Sequence, residues 1–381
     1  HSPCRRQRQM CIRDSSYPQG RQLLIDDAGL RGKVTTLGLN AVIAEGQEKD
    51  KSALFFLAGN HDGLQLLVED KALRNKITDR GLNAIVAEGD DKGKSALFFL
   101  AGNPEGLQLL IEDKDLRGKI TGDGLNAFIP EGESEGYTAL LLLAGNPVGR
   151  QLLVEDKDLR GKITADGLNA VICAGEDRGS SALFFLAGSL EGRQVLIKDK
   201  DLRGKITADG LNAVIPEGES EGYTALFFLA GNHDGRQLLI DDKDLRGKIT
   251  DRGLNAIIAE GEDKGKSALF CIAGNPDGQQ LIIDDTCLRS KIIAKGLNSV
   301  IRAGEDKGSS ALFFLAANPK GRQLLIDDKD LLGKITAEGL NAVIPNGDAQ
   351  GRSALWNLVS WSEGWPLLRE QKPLHENISL T

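Results

Sequence analysis

Aromatic residues, histidine, methionine and cysteine are all scarce in this 381-residue chain, and there is no excess of positive charge. Four histidines, His1, His61, His233 and His375, leave little for metal binding or acid–base chemistry. Five cysteines at irregular spacing make neither a disulfide framework nor a zinc pattern. No apolar run approaches the ~20 residues that a membrane-spanning helix needs. With 47 Lys+Arg against 55 Asp+Glu the formal charge is −8. Such a chain lacks the basic footprint that a phosphate backbone or an anionic membrane selects. These absences disfavour an enzyme, a nucleic-acid binder and a membrane protein together. The chain is still 40% hydrophobic, enough for a packed core.

What is present is repetition. Gly-Leu-Asn begins at Gly38, Gly81, Gly124, Gly167, Gly210, Gly253, Gly296 and Gly339, a step of 43 residues without insertion or deletion. Repeats therefore run 38–80, 81–123, 124–166, 167–209, 210–252, 253–295, 296–338 and 339–381, after a partial repeat at 17–37. A period of this size signals a solenoid, a propeller or an array. Near-identical stretches such as 199–207 and 242–250 point to tandem duplication.

Within a repeat, Ser or Thr precedes an apolar run at Ser52, Ser95, Thr138, Ser181, Thr224, Ser267, Ser310 and Ser353. That pattern predicts an N-cap and a short buried helix. Asn-Pro, at Asn103-Pro104, Asn146-Pro147, Asn275-Pro276 and Asn318-Pro319, then predicts a second helix. A third segment runs into Gly-Leu-Asn. Its Leu211, Val214 and Ile215 stand at i, i+3, i+4, and Thr164 or Thr207 is placed to cap it. Alternation at period 2 is absent, which excludes propeller blades. The expectation is an all-α, right-handed α-solenoid of eight 43-residue three-helix repeats plus one N-terminal partial repeat.

Two families share features with these residues. Gly136-Tyr-Thr-Ala-Leu-Leu-Leu-Leu-Ala, followed by Gly149 and Leu152-Leu153, resembles the ankyrin pattern, although Ala139 and Leu141 replace its Pro and His and the period is longer. The period and Leu315-Ala-Ala-Asn-Pro-Lys-Gly-Arg-Gln323 resemble armadillo repeats. Either resemblance implies a binding scaffold without catalysis.

The two ends differ from the body. Residues 1–16 show no trace of the repeat and carry a charge of +3, which leaves −11 on the remainder. They lack the apolar core of a signal peptide and look like translated adaptor sequence, an artefactual or disordered leader. All three tryptophans, Trp356, Trp361 and Trp365, fall in the last repeat, which reads as a divergent cap.

Candidate chemistry is thin. Gly89-Asp-Asp-Lys-Gly-Lys-Ser95 and its counterpart at 261–267 resemble a P-loop but have three residues between the glycines where four are needed. Glu131-x-Glu133-x-Glu135 and Glu217-x-Glu219-x-Glu221 open like a calcium loop, yet Leu142 or Phe228 stands where its closing Glu belongs. Asp113 and Arg117, like Asp115 and Lys119, are at i, i+4 and read as a solvated charged face, worth ~0.2–0.5 kcal/mol per pair. No catalytic triad, Cys/His pair or dinucleotide motif is present, so neither enzyme activity nor a cofactor is expected.

Two features offer a binding role. The Asn of Gly-Leu-Asn, including Asn83, Asn126, Asn169, Asn212, Asn255 and Asn298, forms a column that either grips a peptide backbone or holds a neighbouring loop, the structural role being favoured. The acidic loops vary most between repeats. Their Tyr137 and Tyr223, with Glu133, Glu135, Glu219, Glu221, Lys94, Lys266, Arg178 and Arg352, are the candidate contacts for a partner. The reading is a monomeric protein–protein interaction scaffold for a protein or peptide with a basic surface, using no nucleic acid and no membrane. A structural spacer or decoy array, or less favourably an RNA-binding helical repeat, remains the alternative. The absence of a signal peptide or membrane segment implies a cytoplasmic setting, with delivery into a host cell left open.

Overall fold

The computed structural model describes residues 18–360, apart from 133 and 176. The leader, Glu133, Trp361 and Trp365 thus lie outside the described residues. The chain divides into two compact bodies between Ile206 and Thr207. Both are all-α solenoid stacks, in which short helices pack on their sequence neighbours and on their counterparts one repeat away. Among the described residues the one β-bridge is an isolated antiparallel pair between Val171 and Ser181.

One repeat of the first body shows the construction. Helix α1 is Asp79–Asn83, α2 is Ala96–Gly102, α3 is Pro104–Glu112 and α4 is Lys114–Gly118. None is long enough to persist alone in water. Each is started by a side chain that accepts a free backbone N–H. Thr78 accepts from Gly81 (3.1 Å), Ser95 from Phe98 (3.1 Å), Asn103 from Glu105 (3.0 Å) and Asp113 from Leu116 (2.9 Å). Pro104 occupies the first turn of α3, where its missing N–H costs nothing. The same caps recur along the chain, with three exceptions. Ser189 replaces the asparagine and accepts from Gly192 N, Asn232 turns its amide back to the Phe228 carbonyl, and Ile293 replaces the threonine.

The apolar helix α2 lies in the middle of the stack. Leu97 and Leu100 are fully buried between it and α3, joined by Leu107, Leu110 and Leu116 from the following helices. Rings of neighbouring repeats meet edge to face, as Phe55 and Phe99 do at 5.1 Å and Phe270 and Phe314 at 5.3 Å.

Two expectations are corrected. A repeat holds four helices, not three, because Asp113 takes extended backbone (φ −106°, ψ 91°) and its carboxylate starts a separate helix at Lys114. The stripe Leu211, Val214, Ile215 is not helical either. The helix stops at Asn212, Ala213 turns extended, and Ile215 reaches the core from a short extended segment. Its N–H donates to Tyr223 O (3.0 Å) and its carbonyl accepts from Gly222 N (2.9 Å), closing the acidic loop at its base.

Candidate functional site

Three columns of side chains join adjacent repeats, and the candidate residues fall on two of them.

The first is the Asn column. Asn83 donates one amide hydrogen to Asp79 O in its own helix (2.6 Å) and the other to Lys119 O in the next repeat (2.8 Å). Its Oδ1 accepts from the Thr121 N–H (3.0 Å). Asn40, Asn126, Asn212, Asn255 and Asn298 make the same three bonds, and Asn169 donates to Ala165 O and Lys205 O. Both hydrogens of each amide are thus committed to backbone carbonyls. The glycine of the triplet follows from the same contact. A Cβ on Gly124 would lie 2.1 Å from Asn83 Oδ1, so only glycine lets the next helix approach.

The second column is an Arg–Asp ladder that sequence spacing assigned wrongly. Arg117 does not pair with Asp113 in its own helix. Its Nε meets Asp156 of the next repeat at 3.0 Å, while Asp113 accepts from Arg74 at 3.3 Å. Arg160–Asp199, Arg246–Asp285 and Arg289–Asp328 repeat the pair at 2.9, 3.1 and 3.2 Å. Arg117 Nη1 also donates to the carbonyls of Leu110 and Ile111, filling the end of α3. Lys119, expected opposite Asp115, donates instead to Ile77 O (2.7 Å) in the preceding repeat. Burial raises the carboxyls of Asp113, Asp156, Asp199 and Asp285, but the backbone N–H at each cap and the arginine beside it outweigh burial. The net shift is downward.

The third column runs along the loop edge. The residue just before the Ser/Thr cap is Lys51, Lys94, Tyr137 and Ser180 in the first body, then Tyr223, Lys266, Ser309 and Arg352 in the second. Several of these reach an aspartate one loop further on. Lys51 Nζ meets Asp91 at 2.8 Å, Tyr137 donates to Asp177 at 2.9 Å, Tyr223 to Asp263 at 3.2 Å, and Lys266 meets Asp306 at 3.0 Å. The lysines also bind the acid three residues earlier in their own loop: Lys51–Glu48 at 2.8 Å, Lys94–Asp91 at 3.0 Å and Lys266–Asp263 at 3.1 Å. At both tyrosines that earlier position is serine, Ser134 or Ser220. Tyr223 stacks on Phe228 at 5.3 Å, and burial, followed by the charge and hydrogen bond of Asp263, pushes its hydroxyl up to about 12.

Backbone contacts complete the edge. The Glu135 carbonyl accepts from Cys173 N and the Glu221 carbonyl from Ala259 N, both at 3.1 Å. Gly136 sits at φ +89°, and a Cβ there would lie 2.6 Å from Val171 O. Glu135 is half-buried, whereas Glu219, Glu221, Arg178 and Arg352 are exposed, with the Arg352 guanidinium 4.8 Å from the Trp356 ring. Tyr137, Tyr223 and Lys266 therefore hold the stack together as well as face its edge, whereas Lys94 bonds within its own repeat.

Sequence reasoning missed one element, a polar residue at the fourth position of the nine-residue helices. It is Arg150, Arg193, Arg236, Gln279 and Arg322, and Arg322 is 1% exposed. The signal was available by reading down the 43-residue register rather than along the chain.

Among the described residues, no group of three or more His, Cys, Asp or Glu is placed to hold a metal ion. No described helix is long and apolar enough to cross a membrane. Comparison with models of known protein families and with curated proteins finds no match to this chain.

Proposed function

We propose that this chain is a non-catalytic interaction scaffold of the ankyrin-like or armadillo-like kind, holding its acidic loop edge out to a protein or peptide with a basic surface. The observation that carries this reading is a division of labour within each repeat. The Asn clamp and the Arg–Asp ladder hardly vary and are consumed by bonds between repeats. The loop residues change from repeat to repeat while the loop keeps its backbone, and Glu219 and Glu221 are exposed on it. A fixed frame with a variable, exposed, acidic rim is suited to selecting a partner, and its association should weaken with added salt.

The test uses exposed residues rather than the stack-forming tyrosines. Proteins captured by the parent chain are compared quantitatively with those captured by Glu219→Lys/Glu221→Lys. Loss of a specific set by the variant supports the loop edge as the docking surface. An unchanged set refutes it, and an empty set for the parent favours a structural spacer.

A further inference from the structure

The arginines at the fourth position of the nine-residue helices show how this fold treats a guanidinium. Arg150 Nη1 donates to Ala144 O and Gly145 O (2.9 and 3.1 Å), the last carbonyls of the apolar helix before it. Arg193, Arg236 and Arg322 do the same at Ala187, Ala230 and Ala316, each at 3.0 Å, and Gln279 does so at Ala273 at 2.7 Å. In two repeats of the first body the position is apolar, Leu64 and Leu107. There, no donor among the described residues reaches the carbonyls of Ala58, Gly59, Ala101 or Gly102.

A groove of about 420 Å³ opens at these two helix ends. Gly59, Asn60, Gly102 and Asn103 line it together with Phe99 and Tyr137. The fold already sets cations against rings of this column. Lys51 Nζ stands 5.7 Å from the Phe55 and Phe56 centroids, and Lys94 Nζ 5.9 Å from that of Phe99. At Tyr137 the lysine of the two preceding repeats is gone, and the loop there carries Glu131 and Glu135 without a basic residue. Glu131 is met by Lys92 from the loop before it (3.0 Å), and exposed His61 is the groove's own titratable base.

We propose that this groove takes the guanidinium of an arginine side chain from a partner, where Leu64 and Leu107 withhold the chain's own. The site rests on the scaffold reading above and gives it a specific ligand chemistry: planar, cationic, donating to helix-end carbonyls and stacking on aromatic faces. A hydrophobic side chain would leave the carbonyls unpaired, and a carboxylate would meet carbonyl oxygens.

The test is fluorescence anisotropy with a labelled Ser-Arg-Gly-Arg-Ser peptide and its citrulline counterpart, which keeps the shape and loses the charge. The intact chain should bind the arginine peptide at least ten-fold more tightly than the citrulline one. In Leu64→Arg/Leu107→Arg, which copies the residue of later repeats, the chain's own guanidinium should fill the site and weaken binding at least ten-fold. Tyr137→Ala, which does not touch the helix ends, should weaken it about three-fold and keeps the test decisive if the double variant fails to fold. Equal affinity for the two peptides overturns the site. Arginine-selective binding that survives both variants also overturns it and leaves the scaffold reading standing, which fails only on the loop-variant capture described above.

Discussion

Between neighbouring repeats of the first body two seams run in parallel. At one, Asn83 bonds three backbone groups, and asparagine recurs at that place in every repeat. At the other, Lys51 reaches Asp91 and Tyr137 reaches Asp177, with the donor changing from repeat to repeat. The difference lies in what each side chain addresses. Backbone carbonyls and N–H groups are the same everywhere, so one residue type serves all repeats. A carboxylate in the next loop can be reached by more than one kind of donor: Asp91 and Asp306 are met by lysine, Asp177 and Asp263 by tyrosine. The donor position can therefore diversify while the aspartate stays.

The largest effect should come from closing the Asn seam sterically. In Gly124→Ala the new methyl would lie 2.1 Å from Asn83 Oδ1, and the clamp must open. We expect a loss of about 3 kcal/mol in urea unfolding. A loss below that of an exposed Gly118→Ala control would show that the seam is loose. Next, Asn126→Ala strands Lys162 O and Thr164 N and should cost about 2 kcal/mol, with Asn126→Leu no better although it restores apolar volume. If leucine rescued stability, the position would be a packing site and not a clamp.

The Arg–Asp ladder should rank between the two seams when the same assay is applied to it. Its aspartates titrate below the usual carboxylate range when folded. Their contribution is therefore complete above the unfolded value of about 3.9 and is lost as pH falls through the lower folded value. Melting temperature should decline below pH 4, and Asp156→Asn should make that decline shallower. An equally steep decline in the variant would place the acid sensitivity elsewhere. The smallest effect belongs to the loop edge. Tyr137→Phe, which loses the hydroxyl's bond to Asp177, should cost no more than about 1 kcal/mol in the same unfolding assay. A cost as large as that of Asn126→Ala would erase the contrast between the seams.

Much of the frame was legible in the sequence because its signals are local. Ser95 before an apolar run, Asn103 before Pro104 and Thr164 before Gly167 cap the helices they were expected to cap. The fourth helix was not legible, because Asp113-Lys-Asp-Leu-Arg reads equally well as the charged face of a continuing helix. The pairing of Arg117 was misread for a related reason. Asp113 stands at the i, i+4 spacing that pairs side chains on a helix, and only stacking brings Asp156, 39 residues on, to 3.0 Å. The loop edge was half legible. Tyr137 and Tyr223 stood out as unusual, but their aspartate partners lie 40 residues away and appear only when columns are compared.

The most direct test of this architecture is amide hydrogen exchange in Asn83→Ala. Asn83 and the Thr121 N–H are bonded across the seam although 38 residues separate them in sequence. If repeats are held by side-chain clamps to backbone, the Thr121 amide should lose protection together with Asn83's own helix. Faster exchange confined to 79–87, with Thr121 unchanged, would contradict it.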